Sequence, residues 1–151
     1  MSENVAWITA AQLDGKGRPC MVFSVQMNSA GKPPGEGGEE HRYHYARYDG
    51  KRWHVAEIAY AGTRIYARED DYTGLAALDP SDPTTIYIST NADPATGAPL
   101  ISKADNERHW EIYRGTTGDY RKWKWEAITR DSTADNLRPV VPAQDSKQTI
   151  L

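Results

Sequence analysis

The chain of 151 residues has one cysteine, one phenylalanine, and no apolar run near the roughly 20 residues that cross a bilayer. Its single thiol, Cys20, cannot close an internal disulfide and so says nothing about redox compartment. Basic residues are not in excess: 18 Lys and Arg stand against 21 Asp and Glu, a formal net charge of −3. With no basic field and no spanning segment, neither nucleic acid nor membrane is an expected partner. Met1–Ala11 has neither the basic n-region nor the apolar h-region of a signal peptide. Helical periodicity with caps is absent over any stretch of about ten residues or more.

What is present is tyrosine and tryptophan, nine and five respectively. Such rings suit half-wet β surfaces and sugar-facing platforms better than a dry helical core. Short alternating apolar runs predict strands over Val5–Leu13, Cys20–Met27, His41–Tyr48 and Trp53–Tyr60. A second set is predicted over Leu75–Asp79, Thr85–Thr90, Arg108–Arg114 and Trp123–Thr129, with remnants at Leu137–Val141 and Thr149–Leu151. Gly and Pro punctuate the links, and the reading is all-β.

The two sets repeat one another. Leu13-Asp14 corresponds to Leu78-Asp79, His41 to His109, and Trp53 to Trp123, at an offset of about 65 to 70 residues. Each copy has four strands, which is one blade of a β-propeller. The chain thus reads as an incomplete β-propeller of four-stranded antiparallel blades. Residues 1–60 form blade one, 61–74 an inter-blade link, 75–130 blade two, and 131–151 the start of a third. Two and a half blades cannot close a ring of roughly 4 to 8. The expected partners are therefore the remaining blades of a longer chain, or other copies meeting through open blade edges. A small β-sandwich with a coincidental repeat is the alternative.

The run His41-Arg-Tyr-His-Tyr-Ala-Arg-Tyr-Asp-Gly-Lys-Arg-Trp53 resembles the strand, Asp-Gly turn and Trp strand of BNR-4-type propeller repeats. Asp79-Pro-Ser-Asp-Pro-Thr-Thr-Ile-Tyr-Ile-Ser-Thr90 and Asp135-Asn-Leu-Arg-Pro-Val-Val-Pro142 resemble further segments of that group. The resemblance covers nearly the whole chain and implies kinship with propeller polysaccharide lyases of the ulvan-lyase type. It implies an acidic polysaccharide partner, β-elimination at a uronate, and a secreted or periplasmic parent protein. A non-catalytic carbohydrate-binding or scaffold propeller is the alternative. A sialidase-like hydrolase is disfavoured, because Thr117-Gly-Asp-Tyr-Arg-Lys-Trp123 is a broken Asp-box.

In a four-stranded meander the 2–3 loop and the link to the next blade share one face. The long connections Asn28–Glu40, Ala61–Gly74, Asn91–Glu107 and Arg130–Asn136 therefore gather there, where binding usually resides. Eliminating a uronate needs a cation on the carboxylate, a base for the α-proton and an acid for the leaving oxygen. His41, Arg64, Tyr66 and Tyr72 are the candidate catalytic residues, and His109, Arg68 and Arg138 the candidate substrate contacts. Glu69, Asp70 and Asp71 could hold Ca²⁺ through oxygen ligands, although the loop-site spacing is missing. A zinc site from Cys20, His41, His44 and His109 is not expected within one blade: His41 and His44 point to opposite strand faces. No cofactor is otherwise implied. The bland readings are a hydrogen-bonded His, a solvated ion-pair loop at 64–71, and inter-blade packing for Tyr43, Tyr45, Trp53, Trp110, Trp123 and Trp125.

Overall fold

The computed structural model describes residues 4–27, 32, 33 and 35–142. Eight strands form there: β1 (Val5–Leu13), β2 (Pro19–Gln26), β3 (His41–Tyr48), β4 (Trp53–Gly62), β5 (Ala76–Leu78), β6 (Thr85–Thr90), β7 (Glu111–Thr117) and β8 (Trp123–Ala127). They make two antiparallel sheets, ordered β1-β2-β3-β4 and β5-β6-β7-β8. The described residues are all-β, in two four-stranded up-and-down meanders of the kind that serve as propeller blades.

Alternation gives each sheet two faces. On β2, Cys20, Val22 and Ser24 are buried while Met21, Phe23 and Val25 are half-buried. Pairing carries the buried face across the sheet, with Val22 opposite Ala10 and Tyr45, and Ser24 opposite Trp7 and Tyr43. That face meets the second sheet, where Ala76, Leu78, Ile86 and Ile88 complete one core with Cys20, Val22, Tyr43 and Tyr45. Trp123 and Trp125 pack against it, whereas Trp53 is 45% exposed and is not inter-sheet packing.

The preference for Tyr over Phe has a reason in this interface. Tyr43 and Tyr45 are 0% and 1% exposed, yet their hydroxyls reach across to the second sheet. The Tyr43 hydroxyl lies 2.9 Å from both Leu75 O and Ser89 O, and Tyr45 donates to Pro83 O at 3.0 Å. Gln12 Nε2 adds a bond to Asp79 O at 2.7 Å. Each ring supplies apolar area and each polar tip gives a backbone carbonyl a hydrogen bond that a Phe could not make.

The internal repeat extends to turn chemistry. Asp49 Oδ1 accepts from the amides of Lys51 and Arg52, at 2.7 and 2.9 Å. Asp119 Oδ1 accepts from those of Arg121 and Lys122, at 2.9 and 2.8 Å. The segment that fails as an Asp-box is thus the β7–β8 hairpin tip, built like the β3–β4 tip.

Strand boundaries move by one to three residues on β2, β4, β5, β7 and β8, and one expected strand is absent. Leu75 adopts φ 73° and falls outside β5, its carbonyl held by Tyr43 and by the Ser89 amide. Residues 108–110 leave β7: Arg108 forms an isolated bridge with Ile101 instead, and the Trp110 amide donates to Asp135 Oδ1. Leu137–Val141 is not a strand; the Asn136 and Arg138 amides instead clip this segment to Trp110 O and Gly74 O. The Thr149–Leu151 remnant lies outside the described residues.

Candidate functional site

The β2–β3 connection, the β4–β5 link, the β6–β7 connection and the chain after β8 interlock at one end of the sheets. The Arg64 amide donates to Gly38 O, and the Tyr60 amide at the strand end to Pro94 O. Thr63 and Asn91 exchange two bonds, Thr63 N to Asn91 Oδ1 at 3.1 Å and Asn91 Nδ2 to Thr63 Oγ1 at 2.9 Å. Gly62 allows that approach: its φ is +82°, and a Cβ there would lie 2.1 Å from Asn91 Oδ1.

On this face, three of the candidate residues come together with one that was not foreseen. Tyr66 and Tyr72 stack at 5.7 Å with 21° between their planes. Trp7 of β1 meets Tyr72 edge-on at 5.8 Å. Arg138 lies with its guanidinium 5.8 Å from the Tyr72 ring centroid and donates from Nη2 to the Tyr66 hydroxyl oxygen at 3.1 Å. A compact turn sets the two tyrosines, through Ile65 N to Tyr72 O, Glu69 N to Tyr66 O and Tyr72 N to Glu69 O. Arg68 supplies a left-handed residue in this turn, and Arg138 is itself left-handed, with φ 73° and 56°. Tyr66 is 43% exposed and Arg138 is exposed, so a stacking surface and a cation face solvent side by side.

The other candidates are placed differently. Arg64 was expected to meet a substrate carboxylate, but its Nη1 group is turned into the protein. Nη1 donates to Asp70 Oδ1 at 2.7 Å, to Gly35 O at 3.1 Å and to Gly37 O. Glu39 lies 3.7 Å from Nη2. Asp70 is held below the usual carboxylate range by the Gly35 amide on its Oδ2 and by Arg64. This is the ion-pair staple of the bland reading, tying the β2–β3 connection to the link. It also leaves Asp70 unlike a calcium ligand, and among the described residues no three His, Cys, Asp or Glu side chains are grouped to hold a metal ion.

His41 is 0% exposed, and neither ring nitrogen has a hydrogen-bond partner of ordinary geometry. Burial pushes its imidazole below the ordinary value, and the backbone of Asp70 and of Gly62 is the nearest polar company. It lies at the floor of a separate open cleft of about 320 Å³, beside Arg42 and Arg108. His109 is clamped between Asp105, 2.7 Å from Nε2, and Asp135, 3.3 Å from Nδ1. The hydrogen bond with Asp105, then that with Asp135, raises its pKa. Neither histidine touches the tyrosine pair. Arg68 is exposed on the turn, near Gly35.

Trp7 could have been found from β1 alone: strand alternation and antiparallel pairing put it on the face of Ser24 and Tyr43. Its meeting with Tyr72, in a link with no periodicity, has no sequence signal.

Compared with models of known families, with curated proteins and with solved structures, the chain matches none.

Proposed function

We propose that the chain is part of a β-propeller protein that recognises an acidic polysaccharide through the Trp7–Tyr66–Tyr72–Arg138 surface. The observation that supports this is the juxtaposition of a stacked tyrosine pair with an exposed guanidinium 3.1 Å from a phenolic oxygen. A pyranose ring stacks on such aromatic faces, and a guanidinium pairs bidentately with the carboxylate of a uronate. Further blades, in the same chain or from other copies, would complete the ring, and the parent protein would act in the periplasm or outside the cell, where such polymers are met.

The test is titration of the full chain with uronate oligosaccharides, read by the fluorescence of Trp7 and its neighbours. The expected result is saturable binding that Arg138→Gln weakens by about tenfold, a loss of about 1.4 kcal/mol. No binding, or binding unchanged in Arg138→Gln, overturns the reading.

Elimination at the bound uronate is the catalytic form of the same reading, supported by the Tyr66–Arg138 contact. Arg138 would draw charge from the carboxylate while a base takes the α-proton. The C4–O bond then breaks as the new C4=C5 double bond forms, and Tyr66 gives its proton to the leaving oxygen. The full chain incubated with polyuronate should build up the ultraviolet absorbance of an unsaturated uronate, and Tyr66→Phe should abolish it. Binding without that absorbance leaves a carbohydrate-binding propeller.

A further inference from the structure

A cleft of about 600 Å³ lies at the opposite end of the sheets, between the β3–β4 and β7–β8 hairpin tips. Its size falls within the range of small-molecule sites. Arg47, Arg52, Trp53, Asp119, Tyr120 and Arg121 are among its walls.

Three arginines and one aspartate are among the lining residues, so in a chain of net charge −3 this lining carries about +2. Among the described residues the side chains of Arg52 and Arg121 make no ion pair or hydrogen bond, although both backbone amides serve the Asp turns. Arg47 is only partly neutralised. Its one carboxylate is Asp14, at 3.4 Å, which Arg18 already holds at 2.7 and 2.9 Å. Arg47 Nε is buried with no partner. Of the remaining polar lining, His54 is paired with Asp49 at 2.6 Å, and Asp119 accepts the two amides of its own turn.

The aromatic wall has its own signature. In the first tip the left-handed position is Gly50, at φ +102°. In the second it is Tyr120, at φ 60°, where a side chain is strained. Strain of this kind persists where the surrounding structure over-determines it, often at binding sites. Here it holds the Tyr120 ring against Tyr45, at 5.8 Å and 18°, and under the Arg47 guanidinium, at 4.6 Å. Trp53 stands 45% exposed at the rim.

We propose that this inter-sheet cleft binds a phosphate monoester carried on a ring, as in a sugar phosphate or a nucleoside monophosphate. A dianion matches the charge of the lining. Its three terminal oxygens suit converging guanidinium forks, and its ring has Tyr120 and Trp53 to lie against. The site shares no residue with the uronate surface, and either reading can fail alone.

The experiment is calorimetric titration of the full chain with glucose 6-phosphate, adenosine 5′-monophosphate, inorganic phosphate and glucose, repeated on the double variant Arg52→Gln/Arg121→Gln. Both arginines are exposed, so the double variant should melt as the wild type does. Saturable binding of at least one ester is expected, stronger than that of inorganic phosphate and lost with unphosphorylated glucose. The tighter of the two esters identifies the ring. The double variant should weaken that binding by about tenfold or more. Tyr120→Gly, which relieves the left-handed strain, should weaken the esters and leave inorganic phosphate unchanged. No saturable ester binding, equal binding of inorganic phosphate, or wild-type binding in the double variant overturns the proposal.

Discussion

Removing the Tyr43 hydroxyl takes away the single proton shared between two carbonyls, Leu75 O and Ser89 O, beside a fully buried ring. Tyr43→Phe should therefore cost about 1–2 kcal/mol, read as a lower thermal midpoint, although the ring and its apolar area remain. Gly62→Ala combines a left-handed φ with a Cβ 2.1 Å from Asn91 Oδ1, and should cost about 2–4 kcal/mol by the same measurement. Arg64 is now a residue of stability: Arg64→Gln frees Asp70 and two carbonyls, so its melting should fall even before any activity is assayed. The histidines act in opposite senses with pH. Burial lowers His41 and His44 from 6.5, so the unfolded chain takes up protons first, and stability present above pH 6.5 is lost as pH falls below it. His109, raised from 6.5 by Asp105 and Asp135, contributes below that pH and loses its contribution as pH rises through its raised value. Thermal midpoints across this range should show His109→Gln destabilised on the acid side and close to wild type on the alkaline side.

Strands were the most legible elements, and on β2 and β8 burial alternates residue by residue, as each strand's own side chains and the face it buries dictate. At the start of β5 and of β7 the boundary is set by distant groups. Leu75 leaves its strand for bonds with Tyr43 and Ser89, and Trp110 leaves its strand for Asp135 and Asn136, none of them near in sequence. The same cause limited the site. Tyr66, Tyr72 and Arg138 are recognisable by chemistry, but Arg138 reaches Tyr66 across 72 residues of chain, and Arg64 looks just as reactive until its Nη1 group is seen to pair with Asp70. The Asp turns were half visible: Asp49-Gly50 reads as a hairpin tip, whereas Asp119-Tyr120 hides the same tip behind a residue that disfavours its conformation. Replacing Asp49 by Ala removes the acceptor for two amides and should destabilise the β3–β4 hairpin by about 1 kcal/mol, while hydrogen exchange at Lys51 and Arg52 quickens.

The two sheets use their outer faces unequally. On the first, Ile8, Leu13 and Val55 are 65%, 62% and 59% exposed around half-buried Met21 and Phe23. On the second, the outward row opposite Tyr87 is Arg114 and Glu126. Apolar area on the first sheet suits a covering surface, and the chain by itself should associate as its concentration rises, as light scattering would show. Ile8→Lys/Val55→Lys should suppress that association, and a wild-type chain that stays monomeric at all concentrations would remove the face as an interface. The hydroxyl bonds of Tyr43 and Tyr45 carry a different consequence at this scale. Apolar contact alone lets two sheets slide and tilt by a few degrees at little cost, whereas two directional phenolic hydrogen bonds at 2.9–3.0 Å oppose such motion. Those two phenols therefore act as a protractor, holding the dihedral angle between successive meanders, and in any ring of repeated units that angle decides how many are needed to come full circle.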